Sequence, residues 1–166
     1  MTLKNVIRTD VEAIVTTGTV KEAAALMYQN HVGSVVVIAK LNGVRKTPVG
    51  IITDRDIALS LGKNKRFDSN FSVLDVMTPN VVVCTPEDSI HQTIQKMCQN
   101  GIRRIPVVNN RDDLVGIVTS DDLLKHVGEE LKDLSRIISS EIGKENHMKQ
   151  TFEKEVQLKS YSRATL

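Results

Sequence analysis

The chain has 166 residues and a formal net charge of +2, and 40% of its residues are hydrophobic but only 3% are aromatic. A chain of this length can bury a real core, whereas its low charge and few aromatic side chains argue against nucleic-acid binding and binding to anionic membranes. It also lacks an apolar signal stretch and any apolar run near the roughly 20 residues of a membrane span, so we expect a cytoplasmic protein.

An internal repeat organises the predicted elements. Met27 matches Met97 at a separation of 70 residues, and Gly50 matches Gly116 at a separation of 66 residues. The difference of four residues falls between two predicted strands, where a loop absorbs an insertion cheaply. Two similar structural units are therefore expected.

Each repeat predicts the order strand, helix, strand, strand, helix. The first helix of each repeat begins at a capping box, Thr19 with Glu22 and Ser89 with Gln92. Apolar and largely β-branched runs follow as predicted strands, at residues 35–38 and 49–52 in the first repeat and 105–108 and 115–118 in the second. Each later run ends in a threonine and an acidic segment that opens the next helix.

These elements predict an α/β (α+β) fold with four segments. They are a first unit (5–62), an exposed linker (63–74), a second unit (75–128), and a C-terminal helix with a polar tail (129–166). One unit is too small to cover both faces of its sheet, so we expect the two units to pack together.

The C-terminal segment carries an apolar stripe with heptad-like spacing, formed by Val127, Leu131, Leu134 and Ile138. The stripe fits either a helix that packs on its own chain or a contact between two copies. Beyond Gly143 the sequence is polar, which favours a loosely held helix or a disordered tail.

Four short motifs resemble those of the cystathionine-beta-synthase (CBS) domain family. They are residues 50–56 (GIITDRD) and 116–122 (GIVTSDD), with residues 75–79 (DVMTP) and 101–107 (GIRRIPV). The resemblance spans about residues 5–128. It implies two units paired about a pseudo-two-fold axis, with two clefts that take AMP, ADP, ATP or S-adenosylmethionine.

Two carboxylates are the predicted ribose ligands. Asp56 and Asp122 each follow a threonine, Thr53 or Thr119, by three residues at a predicted strand-to-helix junction. A carboxylate there can accept hydrogen bonds from both ribose hydroxyls, and a helix N-terminus favours a nearby phosphate. Threonine and aspartate are also ordinary helix N-caps; the duplication of the motif favours ribose binding.

Arg103 and Arg104 precede a predicted buried strand, where adjacent charges are costly unless an anion pairs with them. The resemblance implies that these positions contact ligand phosphates; the alternative is a surface salt bridge. Val32 and Ile102 match each other across the repeat. They are candidate walls for an adenine ring, or else plain core residues.

The two predicted clefts differ in charge. The resemblance implies a phosphate-binding cleft that gathers Thr119, Asp122, Arg103, Arg104 and Arg8. It implies a second cleft, built on Thr53, Asp56 and Thr78, with no obvious cation except Arg55. This second cleft would hold a neutral or cationic adenosine compound or stay empty.

Nothing in the sequence predicts catalysis or a metal centre. The four histidines have no partners at metal-ligand spacing, and no pattern for an activated nucleophile appears. We therefore expect a non-catalytic regulatory module that binds an adenine nucleotide, forms a homodimer and signals to an effector protein by ligand-dependent rearrangement. The alternative is a constitutive dimerisation scaffold with vestigial clefts.

Overall fold

A computed structural model describes residues 2–41, 43–63 and 70–163. The chain divides after Leu123 into a mixed unit of helices and strands and a C-terminal helical unit. Both repeats belong to the first of these units. Most of the predicted linker's basic segment falls on residues 64–69, which lie outside the described residues.

The first repeat has the predicted order of elements. It contains a 3₁₀ helix (Leu3–Asn5), β1 (Ala13–Val15), α1 (Val20–Gln29), β2 (Ser34–Leu41), β3 (Arg45–Thr53) and α2 (Asp54–Lys63). The predicted capping box opens α1, since the Glu22 N–H donates to the Thr19 hydroxyl and the Thr19 N–H donates to the Glu22 carboxylate. The bonds from Thr19 lower the pKa of Glu22.

The second repeat follows the same plan. It contains a 3₁₀ helix (Val73–Asp75), β4 (Thr78–Pro79), α3 (Ile90–Asn100), β5 (Arg104–Val108), β6 (Leu114–Thr119) and α4 (Ser120–Arg163). The capping box predicted at Ser89 is also formed, with Gln92 as its partner. On α3, Ile90 and Met97 are buried, whereas Ile94 remains 39% exposed.

The sheets are unequal in size. The first has the order β1-β2-β3-β4, with β1 parallel to β2 and the other neighbours antiparallel; the second contains β5 and β6. The strand predicted to open the second repeat is reduced to Cys84, which pairs with Val107 as Ile14 pairs with Val37. In the first repeat the Val36 N–H donates to the Glu12 carbonyl.

Proline explains this difference between the two repeats. The residue that corresponds to Val36 is Pro106, which has no N–H to donate. The ladder therefore cannot extend beyond Cys84 by the bond that the first repeat uses. On the other side, the Thr16 N–H of the first repeat donates to the Ile38 carbonyl, and the residue that corresponds to Thr16 is Pro86, which also has no N–H. Two prolines thus limit this strand to Cys84 without changing the order of the elements.

The repeats exchange their first segments. Leu3 and Val6 are buried in the core of the second repeat with Ile105 and Val118, whereas Val73 is buried in the core of the first repeat. Leu3 and Val73 precede residues 5 and 75, at which the sequence predicted the units to begin. Each hydrophobic core is therefore completed by a segment from the other repeat.

Two glycines allow the exchanged segments to approach the strands. A Cβ atom added at Gly116 would lie 2.9 Å from the Arg8 carbonyl oxygen, and one added at Gly50 would lie 3.0 Å from the Thr78 carbonyl oxygen. The first distance is shorter than real Cβ contacts and the second is tighter than most of them, so both positions favour glycine. Arg8 pairs with Ile117 as Thr78 pairs with Ile51, which places both segments at equivalent strand edges.

The C-terminal unit is the remainder of α4, which continues as one helix to Arg163. The side chains of the predicted stripe are exposed, from 38% for Val127 to 61% for Leu131. The chain beyond Gly143, for which the sequence favoured a loose helix or a disordered tail, belongs to the same continuous helix.

Candidate functional site

The Thr-x-x-Asp motif of the second repeat forms a capping box at the start of α4. The Thr119 N–H and hydroxyl donate to Asp122 Oδ2 at 3.0 and 2.6 Å, and the Asp122 N–H donates to Thr119 Oγ1 at 3.2 Å. Strand β6 ends at Thr119, so the box forms where β6 passes into α4. Both side chains are half-buried.

The first repeat builds the same box at the start of α2. The Thr53 N–H and hydroxyl donate to Asp56 Oδ2 at 2.9 and 2.7 Å. In each box the second carboxylate oxygen, Oδ1, takes no part in the box and can accept from a ligand hydroxyl. The threonine hydroxyl donates its one hydrogen bond to the carboxylate, so it can accept a bond from a ligand but cannot donate one while the box is intact.

A cavity of about 240 Å³ lies beside the second box. Its lining residues come from both repeats and from the exchanged N-terminal segment: Arg8, Asp10, Val11, Glu12, His31, Val32, Gly33, Ser34, Arg104, Ile117, Thr119, Asp121 and Asp122. The volume is slightly below the roughly 300–1,000 Å³ typical of small-molecule sites. It suits a ligand of mononucleoside size better than a dinucleotide.

The two arginines of the cavity have different environments. Arg8 Nη2 lies 3.4 Å from Asp10 Oδ2, in an exposed ion pair. Arg104 is half-buried, and no ion pair or hydrogen bond engages its guanidinium among the residues that the structure describes. The lining also contains four carboxylates, from Asp10, Glu12, Asp121 and Asp122, so an anionic group is best accommodated next to Arg104.

The structure brings together five of the ten predicted ligand-binding residues on this cavity: Thr119, Asp122, Arg104, Arg8 and Val32. Arg103 does not line it; its side chain is exposed, and its carbonyl accepts from the Ser120 N–H. Arg104 is the first residue of β5, whereas Arg103 lies in the bend before that strand, and only Arg104 lines the cavity.

The remaining predicted residues lie elsewhere. Thr53 and Asp56 are at the start of α2, and the exposed Thr78 pairs with Ile51, two residues before Thr53. Ile102 is half-buried and packs against the core of the second repeat. Thr53, Asp56 and Thr78 thus form a group at the first repeat, and Ile102 is a core residue of the second repeat.

Sequence analysis missed Asp10, Glu12 and His31, which line the cavity. The first two lie between the exchanged segment and β1, and only the exchange brings them to the second repeat. His31 has a positive φ of 52°, and the residue 70 positions later is Gly101 with φ 63°. The match of His31 with a glycine in the other repeat is a feature of the sequence that could have indicated a positive φ at this position.

A second titratable cluster lies in the second repeat. Lys96 Nζ is 2.7 Å from Asp88 Oδ2 and 3.7 Å from the sulfur of the buried Cys84. Burial raises the pKa of the Cys84 thiol. Burial alone would raise the pKa of Asp88, but hydrogen bonds from Lys96 and Thr85 outweigh it and leave that pKa lowered.

This cluster makes an unreactive thiol and a local ion pair. Desolvation would lower the pKa of Lys96, but its bond to Asp88 raises it, so both members of the pair stay charged at neutral pH.

Across the described residues, no group of three or more His, Cys, Asp or Glu side chains is arranged to hold a metal ion.

Comparison with known proteins explains the repeated architecture. The family model for the CBS domain matches residues 3–63 and 73–129. The chain belongs to the CBS domain family. Its two repeats are two CBS domains, which confirms the resemblance of the four motifs. The CBS domain-containing protein YhcV of Bacillus subtilis is 39% identical over 121 residues, which are 73% of this chain and 81% of YhcV.

Solved CBS domain pairs have the same fold. A CBS domain protein from Pyrobaculum aerophilum, solved in complex with AMP, is 25% identical with a TM-score of 0.65. The match covers 74% of this chain and 89% of that protein. A CBS domain pair in complex with 5′-methylthioadenosine and S-adenosyl-L-methionine is 26% identical with a TM-score of 0.68, over 78% of this chain and 98% of that one.

The fold class predicted from the sequence, two CBS units of mixed α and β structure with a C-terminal helix, is therefore confirmed. Among the helices in the described part of the chain, none is both long and apolar enough to cross a membrane.

Proposed function

We propose that this CBS domain pair is a regulatory module that binds an adenosine ligand, AMP, ADP, ATP or an S-adenosyl compound, in the cavity beside Thr119 and Asp122. Three features converge on one cavity and carry the proposal: the Oδ1 atom of Asp122, an apolar wall, and Arg104, which has no ion-pair partner among the described residues. Solved relatives with AMP, and with methylthioadenosine and S-adenosylmethionine, support this ligand class.

The carboxylate of Asp122 would read the ribose. Its Oδ2 atom already accepts two bonds from Thr119, and these bonds hold the side chain in one orientation. Its Oδ1 atom then faces the two ribose hydroxyls as a fixed, charged acceptor, which makes strong hydrogen bonds. The half-buried Val32 supplies the apolar surface for the base.

The guanidinium of Arg104 would contact a phosphate. Arg8 already lies near Asp10, whereas Arg104 has no such partner among the described residues. A phosphate placed between them would be attracted to both cations. A ligand without a phosphate would lose little affinity when Arg104 is replaced. Substitution of Arg104 therefore distinguishes adenosine ligands that carry a phosphate from those that do not.

Ligand binding would be measured as the rise in unfolding temperature with AMP, ADP, ATP, S-adenosylmethionine or methylthioadenosine. A ligand at 100 times its dissociation constant adds about 2.7 kcal/mol. For a chain of this size, that corresponds to a rise of roughly 5–10 °C. A rise with one of these ligands is the expected result.

Matched variants make the test specific. Asp122→Asn should abolish the ligand-induced rise, measured against the variant's own ligand-free unfolding temperature. Glu22→Gln is the control, because Glu22 forms the same kind of box at α1 without lining this cavity. A rise that survives Asp122→Asn but disappears in Glu22→Gln would refute the assignment.

The two neighbouring arginines test the phosphate contact. Arg104→Gln should weaken binding of AMP about tenfold or more, because a charged hydrogen bond is worth roughly 1.5–3 kcal/mol. It should leave methylthioadenosine unaffected. Arg103→Gln, outside the cavity, should change neither ligand. Equal weakening by both variants would contradict a direct contact from Arg104.

The proposed output is regulation of an effector protein, not catalysis. The cavity joins elements of both repeats, so a bound ligand favours whichever relative arrangement of them fits it best. A ligand can shift that equilibrium only by its differential affinity for the two states. If none of the five ligands raises the unfolding temperature, the alternative of a constitutive interaction scaffold is supported instead.

A further inference from the structure

The C-terminal unit presents a long apolar surface. Counted in heptads from Leu124 as position a, the a and d positions of α4 carry Leu124, Val127, Leu131, Leu134, Ile138, Glu141, Glu145, Met148 and Phe152. Seven of these nine side chains are apolar, and each of the seven is more than a third exposed. The stripe extends over roughly 40 Å at 1.5 Å per residue.

We infer that two copies of this chain associate through α4 as an antiparallel pair of helices. Two such stripes present on the order of 1,000 Å² of apolar surface, which is the size that a specific interface requires. The charged residues along α4 indicate the identity of the partner helix and its direction.

The charges favour an antiparallel pair centred at Arg136. In that alignment Leu134 faces Ile138 of the second copy, and the flanking Glu130 lies beside Lys144 of the second copy. The two-fold symmetry produces each contact twice. Glu141 and Glu145 face Leu131 and Val127 of the second copy, so no two carboxylates meet in the seam.

A parallel pair brings like charges together. It places Glu141 against Glu141 and Glu145 against Glu145 at core positions, and Lys144 against Lys149 at the flanks. Facing like charges destabilise a helix pair. The charged residues along the stripe therefore favour an antiparallel partner helix. A second copy of α4 carries the matching charges.

The mass of the full chain tests association directly. Sedimentation equilibrium at about 100 µM should give twice the monomer mass of 18.4 kDa. Leu134→Glu with Ile138→Glu should weaken association by about 100-fold or more, as expected for central apolar contacts. The control is Lys132→Glu with Ser139→Glu, since neither residue occupies an a or d position. Circular dichroism verifies the helix content of all variants.

A wild-type chain that remains monomeric at this concentration would overturn the inference. So would a dimer that Leu134→Glu with Ile138→Glu leaves intact, because its contact would lie on another surface. Either result leaves the proposed ligand binding untouched, since that is measured by the separate unfolding assay.

Charge reversal tests the direction of the helices. Lys144→Glu should weaken the antiparallel dimer by roughly three- to tenfold, as for lost and reversed surface ion pairs. Glu130→Lys combined with Lys144→Glu should restore it. In a parallel dimer, Lys144→Glu would instead tighten association by relieving the contact with Lys149, and that result would overturn the proposed arrangement.

Disulfide formation gives a geometric check. Ser135 lies next to Ser135 of the second copy near the centre of the antiparallel pair, so Ser135→Cys should cross-link on oxidation. The background carries Cys98→Ser, since Cys98 is exposed while Cys84 is buried. Glu145→Cys should not cross-link, because residue 145 meets itself only in a parallel pair; the reverse pattern would refute the antiparallel alignment.

Discussion

Replacing Leu3 by alanine tests the exchange of segments between the two repeats. The Leu3 side chain is fully buried in the core of the second repeat, beside Ile105 and Val118, although Leu3 belongs to the first repeat in sequence. Its N–H also donates to the Asp88 carbonyl at 3.0 Å. The substitution should therefore leave a cavity in the core of the second repeat.

The expected loss is large for a residue so close to the start of the chain. A buried leucine replaced by alanine costs about 2–5 kcal/mol, through lost transfer free energy and the cavity left behind. At roughly 2–4 °C per kcal/mol for a chain of this size, the unfolding temperature should fall by about 4–20 °C. A residue at a frayed terminus would cost almost nothing.

Hydrogen exchange would locate the effect. Leu3→Ala should accelerate amide exchange most in β5 and β6, which belong to the second repeat. Val73→Ala should act most on β2 and β3, because Val73 is fully buried in the core of the first repeat. Leu74→Ala is the control, since the Leu74 side chain is 49% exposed and its truncation should change stability little.

Two results would refute this reasoning. One is a fall of less than about 2 °C for Leu3→Ala, which would mean that the segment contributes little to the core. The other is faster exchange in β2 and β3 for the same variant, which would mean that each repeat packs its own first segment.

Two further predictions concern the strand edge and the charged cluster. Gly116→Ala should lower the free energy of unfolding, measured in urea, by about 1–3 kcal/mol, because the added Cβ would lie 2.9 Å from the Arg8 carbonyl oxygen. Gly62→Ala is the control and should not lower it, since the space around Gly62 is open. An equal effect of the two would contradict the close approach. Asp88→Asn should cost most stability near pH 7 and progressively less as the pH falls below 3.8. The pKa of Asp88 is lowered in the folded protein, so its carboxylate contributes fully to stability above the unfolded pKa of 3.8, and this contribution is lost as the pH falls through the folded pKa. A pH-independent difference would show that the pair with Lys96 does not act through charge.

The local elements were predictable because their signals are local. The helix starts at Thr19 and Ser89 follow from capping boxes, in which a hydroxyl and a side chain three residues later satisfy free N–H groups. The duplicated Thr-x-x-Asp motif left two interpretations, a ribose ligand and a helix cap. The structure shows the cap at Asp122, formed through its Oδ2 atom, whereas ribose binding through Oδ1 stays a prediction.

The grouping of residues in the cavity could not be derived from spacing along the chain. Arg103 and Arg104 are neighbours in sequence, but only Arg104 lines the cavity. Arg104 begins β5 and pairs with Thr119, whereas Arg103 lies in the bend before the strand. Asp10 and Glu12 reach the cavity only because the segment before β1 crosses to the other repeat. That crossing leaves no local pattern in the sequence.

By itself, the sequence determined the order of elements within each repeat, the family motifs and the Thr-x-x-Asp caps, since each depends on residues a few positions apart. It also determined the duplication, because matching residues recur at a nearly constant separation along the chain. Tertiary structure alone decided which repeat receives Leu3 and Val73, and which of two adjacent arginines faces the cavity. The physical reason is that an apolar side chain specifies burial but not the core in which it is buried. That choice depends on the shape of the packed repeats and on glycines such as Gly50 and Gly116, which permit the close approach.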